Sequence, residues 1–188
     1  MLNLLQYFDK FPNFDLGDII LRKQKISDAL NYYKYMTNKE VSKSITYTNL
    51  PISVEHACRE IEYWSNLFNK KISFYWGIAL KDNDELIGTI GFNSIIYAHY
   101  RTDLSYDLNY EYWGKGIMSK SLAKILEFAQ DIGIIRVQAV TLLSNKNSIK
   151  LLERAKFIYE GTMFKHEFHN NKLHNTLLYS RILGNDKK

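Results

Sequence analysis

Apolar residues along this chain fall into short β-rich runs in some stretches and into helical spacing in others, separated by polar or glycine-containing turns. Residues 18–23 (Asp-Ile-Ile-Leu-Arg-Lys) predict a strand and residues 27–34 a helix. Val54, Ala57, Ile61, Trp64 and Phe68 share one face of a second helix, which Pro51 and Ser53 open. Residues 74–80 and 86–93 predict two strands joined by the polar turn Lys81-Asp82-Asn83-Asp84-Glu85, and residues 103–108 add a third. Met118, Leu122, Ile125, Leu126 and Ala129 mark a helix ended by Gly133, the residue that most readily takes a left-handed cap. Residues 136–142 are β-rich, and Asn145 caps another helix to about residue 155. Residues 157–160, 162–169 and 173–182 finish the chain as strands, the last two facing each other across Asn170-Asn171-Lys172. Strands alternate with helices but hairpins are mixed in. The expected fold is α/β, with a mixed, largely antiparallel sheet and helices on both faces.

Composition narrows the setting. A chain of 188 residues suits one domain, 1–188, with a loose polar tail from about residue 184. No apolar run approaches the ~18 residues of a membrane span, and no secretory block opens the chain. Cys58 is the single cysteine, so no intrachain disulfide forms and a cytoplasmic location is expected. On its helix it reads as filler rather than a nucleophile. The formal charge of +5 is mild and dispersed; it favours a polyphosphate ligand or ribosomal surface without naming either, and disfavours a nucleic-acid binder. The fourteen tyrosines suggest no function by themselves.

The chemistry concentrates between Asp107 and Met118, where a strand runs through Trp113-Gly114-Lys115-Gly116 into a helix from about Ile117. Glycines allow close approach of backbone to a ligand, and the first amides of a helix lack internal partners. Such amides, with the helix dipole behind them, suit a pyrophosphate. Gly-x-Gly alone reads more readily as a structural turn, and no Walker loop is present.

The succession of strand, Trp113-Gly114-Lys115-Gly116, amphipathic helix, strand, Asn145-x-x-Ser148, helix, Phe157 and Glu160-Gly161 resembles the GNAT acetyltransferases. It is most similar to their branch that acetylates ribosomal-protein N-termini (RimJ/RimL type). The resemblance runs from Leu21-Arg22 to Leu178-Tyr179-Ser180 and is most specific over residues 104–161. It implies a single GNAT domain whose cosubstrate acetyl-CoA lies in a splayed gap between the strand carrying Leu108 and residues 136–142. It implies that backbone amides of Trp113, Gly114, Lys115, Gly116, Ile117 and Met118 hold the pyrophosphate. Leu108 would offer main-chain groups to the pantetheine arm, Asn145 would contact that arm as well as cap its helix, and Ser148 would lie near the sulfur. No metal is implied. The family pattern is broken at Glu111, at Ser105, where a glycine is usual, and at Lys156, where a helix-ending glycine is usual. It is also broken at Leu152, which stands where many members carry an acid tyrosine.

Acetyl transfer needs a neutral amine, donors for the oxyanion and help for the departing thiolate. An α-amine of pKa ~7.7–8.0 is about a tenth neutral at pH 7, so a modest base suffices. The resemblance places that base at Glu167; read as residues alone, Glu167 is equally a surface carboxylate beside Lys165 or Lys172. Asp107 is the second candidate. Ser148 replaces the missing tyrosine as donor to the thiolate. His166, Glu167 and His169 lack metal-site spacing. The expected partners are therefore acetyl-CoA and an amine acceptor, either a protein N-terminus or a small amine (polyamine, amino acid or antibiotic), with neither membrane nor nucleic acid and with room for a homodimer. A non-catalytic acyl-CoA-binding module is the alternative.

Overall fold

The computed structural model describes residues 4–45, 50–169 and 171–184. Its strands are β1 (Phe14–Asp15), β2 (Ile19–Lys23), β3 (Tyr75–Leu80), β4 (Leu86–Ile96), β5 (Arg101–Leu108), β6 (Arg136–Leu142), β7 (Ile158–His169) and β8 (Lys172–Ile182). They form one sheet in the order β1-β2-β3-β4-β5-β6-β8-β7. The helices are α1 (Ala29–Met36), α2 (Lys39–Ser42), α3 (Val54–Asn69), α4 (Ile117–Asp131) and α5 (Lys146–Arg154). The mixed, largely antiparallel sheet expected from the sequence is present. Among the described strands and α-helices, the two-residue β1 and the single-turn α2 escaped the sequence reading. Both are too short to show a period. The runs 157–160 and 162–169 are one strand, β7, with register shifts at Tyr159/Gly161 and Met163/Glu167. The expected tail lies outside the described residues beyond Gly184, as does Asn170 of the last turn.

Alternation along the strands sorts side chains onto two faces. Leu21, Trp76, Ile78, Ile90, Phe92, Leu104 and Val137 join Leu122, Ile125, Phe128 and Ala129 of α4 and Leu152 of α5 in the larger core. Ala29, Tyr32, Tyr35 and Met36 of α1 join Ala57 and Ile61 of α3 and Leu86 in a smaller one. Cys58 is partly buried and packs against the smaller cluster.

Helix ends follow local chemistry. Ser53 accepts from the His56 amide at the start of α3, and Asn145 accepts from the Ser148 amide at the start of α5. After α4, Gly133 has φ +82°, its amide donates to Gln130 O, and the Ile134 amide donates to Ala129 O. This paired closure repeats after α5, where Lys156 takes the glycine's place at φ +61°.

What positions the site is the sheet's one parallel pairing among the described strands. β5 and β6 are in register only from Arg101↔Arg136 to Leu104↔Ala139. Beyond that point β5 runs on to Leu108 and β6 to Leu142 without pairing with each other, and the sheet opens between them.

Candidate active site

Two cavities flank this opening. The first, about 430 Å³, is lined by Asp107, Leu108, Trp113, Gly114, Gly116, Ile117 and Met118 on the β5–α4 side, and by Asn145, Ser148, Lys150 and Arg154 on α5. The second, about 380 Å³, is lined by Asn93, Asp103, Ser105, Gln138, Thr141, His166, Glu167 and Thr176. Tyr106 of β5 lines both, as do Ser44, Ile45, Asn145 and Ser148.

The glycine turn has a local cause. Gly114 and Gly116 have φ +75° and +77°, a region that side chains with a β-carbon rarely adopt. A Cβ at either would meet no protein atom within 4 Å, so the backbone conformation, and no crowding by the protein, demands glycine. Gly116 is the N-cap of α4 and brings no side-chain cap, so the opening amides of that 15-residue helix are left to the cavity. Lys115 lies over the Tyr112 ring, 4.9 Å from its centroid.

Trp113 lines the first cavity, and its side chain also ties the fold together. Its indole Nε1–H donates to the Leu108 carbonyl at 2.8 Å, tying the turn to the end of β5. The Asn109 amide donates to Ile87 O, and the alternation of the antiparallel ladder then directs the Leu108 main chain away from β4, toward the gap. The Leu108 N–H points to the same side as that carbonyl, toward the gap.

Asn145 caps α5 by accepting from the Ser148 amide at 3.0 Å and also lines both cavities. Ser148 is buried in the first turn of α5, its Oγ 2.7 Å from the Tyr106 hydroxyl. Leu152, one turn further along the same helix, is fully buried in the core. Ser105, where the family's glycine is usual, bonds Asn93 and Tyr75 through its hydroxyl.

Glu167 lines the second cavity, and a bulge in β7 lets its neighbour His166 line it too. A step of four residues along β7, from Met163 to Glu167, faces a step of two along β8, from Thr176 to His174, and Lys165 has φ +49°. Simple strand alternation would send His166 and Glu167 to opposite faces, yet both line the cavity. His166 Nδ1 is 3.0 Å from the Thr176 hydroxyl and 3.9 Å from Glu167 Oε1. Asp103 lies across the cavity, held by the Gln138 amide at 2.5 Å and the Ser94 hydroxyl at 3.2 Å.

Asp107 is on the other cavity, with both of its oxygens hydrogen-bonded. Its Oδ1 accepts from the Tyr35 hydroxyl at 2.7 Å and the Thr89 amide at 3.1 Å, and its Oδ2 from the Thr89 hydroxyl at 2.6 Å. Burial pushes its carboxyl up to about 6, against the pull of the Thr89 and Tyr35 hydrogen bonds. Its geometry is that of a tie between β5, β4 and α1. Among the described residues no group of three or more His, Cys, Asp or Glu is placed to hold a metal.

The sequence reading missed Tyr106, Lys150, Arg154 and the Ser44–Ile45 wall. Lys146, Lys150 and Arg154 do recur at four-residue spacing on α5, a legible signal for an anion-facing stripe. The Tyr106 signal was hidden among fourteen tyrosines.

A strand leading into an uncapped helix start, beside a parallel pair that opens midway, has counterparts in known proteins. Residues 18–158 match the family model described as Acetyltransferase (GNAT) domain. The chain belongs to the GNAT acetyltransferase family. It is 30% identical over 173 residues to the uncharacterized N-acetyltransferase YoaA of Bacillus subtilis, covering 92% of this chain and 97% of that one. It is 35% identical over 101 residues to the ribosomal-protein-serine acetyltransferase of Escherichia coli, covering 53% of this chain and 56% of that one. The ribosomal-protein-S5-alanine acetyltransferase of Vibrio fischeri has the same fold, with a TM-score of 0.82 at 23% identity over 94% of this chain and 98% of that one. So has RimL, a ribosomal L7/L12 α-N-protein acetyltransferase solved with coenzyme A (TM-score 0.83, 23% identity, 92% and 98% covered). This GNAT protein is thus an N-acetyltransferase and takes acetyl-CoA as its cosubstrate. No helix among the described residues is long and apolar enough to cross a membrane.

Proposed function

We propose that this enzyme acetylates a primary α-amine at a polypeptide N-terminus, with the transfer made where the two cavities meet. That junction, lined from both sides by Tyr106, Asn145 and Ser148, is the observation that carries the reading. Acetyl-CoA fits the first cavity. Its pyrophosphate would meet the amides of Gly114, Lys115, Gly116, Ile117 and Met118 and the cations of Lys150 and Arg154. Its pantetheine arm would pass the Leu108 N–H and the Asn145 side chain, leaving the thioester beside Ser148.

The acceptor amine enters from the second cavity, whose carboxylates are Asp103 and Glu167. Its nitrogen forms the new C–N bond as the C–S bond breaks, and the proton it gives up passes to Glu167, directly or through water. The departing sulfur is held by the Ser148 O–H and leaves as the thiol, taking up one proton in return, so that no further reactant is needed. An α-amine suits so lightly equipped a site, since about a tenth of it is neutral at pH 7, whereas a lysine of pKa ~10.4 faces roughly 3–4 kcal/mol more. The names of the Escherichia coli and Vibrio fischeri relatives point the same way.

The test is coenzyme A release with peptides carrying free or blocked N-termini, alongside lysine side chains, polyamines and aminoglycosides. Turnover confined to free N-termini is expected. Preference for a small amine would move the acceptor to that class, and tight acetyl-CoA binding with no turnover on any amine would make the protein a binding module.

A further inference from the structure

A serine hydroxyl rotates freely and has one proton to give. In the first turns of a helix it readily turns back onto main-chain carbonyls, where it is of no use to a ligand. Ser148 therefore needs something that fixes its rotor if its proton is to meet a sulfur. Its backbone is already fixed by the Asn145 cap at 3.0 Å. Its hydroxyl meets the Tyr106 hydroxyl at 2.7 Å, reaching across from β5 to α5 over the opening in the sheet. Between the two, the phenol is the stronger donor and the poorer acceptor, because its oxygen shares electron density with the ring. The bond thus runs from Tyr106 Oη–H to Ser148 Oγ, leaving the serine's own proton for another acceptor. Tyr106 is half-buried against the main core, and that burial pushes the phenol up to about 12, against the pull of the Ser148 hydrogen bond. It remains protonated across the working range.

We infer that Tyr106 is a positioning residue for acetyl transfer, holding the Ser148 hydroxyl so that its proton points at the sulfur of acetyl-CoA. The inference rests on the Ser148 role proposed above. Tyr106 keeps its proton throughout; its bond orients the donor and polarises it. The phenol that is missing at Leu152 on α5 is in this way supplied from the neighbouring strand, acting through the serine.

The experiment measures single-turnover rates with an N-terminal peptide for Tyr106→Phe, Ser148→Ala and the double variant, with acetyl-CoA affinity measured by calorimetry. Tyr106→Phe should slow transfer about ten-fold with acetyl-CoA affinity within about two-fold of the original, and the double variant should be no slower than Ser148→Ala. Losses that multiply in the double variant would show Tyr106 acting independently of Ser148 and overturn the inference. So would a full rate in Tyr106→Phe, which, with Ser148→Ala impaired, leaves the Ser148 role standing. A full rate in Ser148→Ala would remove that role and this inference together. A second arm replaces Tyr106 with 3,5-difluorotyrosine, which keeps the shape and lowers the phenol's pKa. A new fall in rate at alkaline pH is expected as the donor ionises, and a profile parallel to the native one overturns the inference, since a merely structural ring would not respond.

Discussion

Three donors from Tyr35 and Thr89 hold the Asp107 carboxylate, whose pKa burial nonetheless raises to about 6. Because its folded pKa lies above the ordinary 3.8, the folded protein binds the proton more tightly than the unfolded chain. The group's contribution is favourable at low pH and is lost as pH rises from about 4 through about 6. Asp107→Asn should flatten that part of the stability profile, by on the order of 2–3 kcal/mol between the two ends. Urea unfolding at pH 4, 5, 6 and 7 checks it; profiles that stay parallel would mean the carboxyl is not raised. Glu167 calls for a kinetic test instead. If it takes the amine's proton, Glu167→Gln should lose more activity near about pH 6.5, where an α-amine is mostly protonated, than near about pH 9. Equal losses at both pH values would remove Glu167 from proton transfer.

Helix ends carry the next level of control. Lys156 closes α5 in the left-handed region, with its amide on Glu153 O and the Phe157 amide on Leu152 O, a geometry that Gly133 adopts after α4 without strain. Lys156→Gly should therefore stabilise the fold by about 0.5–1 kcal/mol, read as a rise in thermal midpoint with unchanged activity. The α4 start behaves in the opposite sense. Gly116→Val introduces strain at φ +77° and a branched side chain into open space at the mouth of the first cavity. Acetyl-CoA affinity should fall at least ten-fold in a protein that still folds cooperatively. Unchanged calorimetric affinity would move the pyrophosphate away from this turn. The bulge in β7 belongs to the same scale, since it sends His166 and Glu167 to one cavity.

At the scale of the molecule, α4 and α5 cover one face of the sheet and α1 with α3 the other, so the gap between β5 and β6 opens onto both layers. A ligand seated there touches β5, α4 and α5 at once, and should stabilise them together. Acetyl-CoA at about 100 times its dissociation constant should add roughly 2.7 kcal/mol, a rise in thermal midpoint of about 5–10 °C for a chain of this size. Differential scanning fluorimetry with acetyl-CoA, and with a pantetheine fragment lacking the pyrophosphate, separates the anchoring end from the arm. Equal shifts from the two would place the binding energy in the arm.

Periodicity and end chemistry alone determined much of this protein. The faces of α3 and α4, the Ser53 and Asn145 caps and the Gly133 stop are written in local spacing, because each depends on neighbours within a turn or two of the chain. The Gly-x-Gly turn at the start of α4 was legible for the same reason, although its glycines answer to positive φ rather than to crowding. Pairing partners were not legible. That β5 lies parallel to β6 and leaves it after Leu104 depends on contacts between segments 35 residues apart, for which no local pattern exists. The Tyr106–Ser148 bond spans 42 residues, and the Tyr35–Asp107 bond spans 72. Fourteen tyrosines look alike in sequence; burial and the choice of partner, which only the tertiary structure decides, set two of them beside the chemistry.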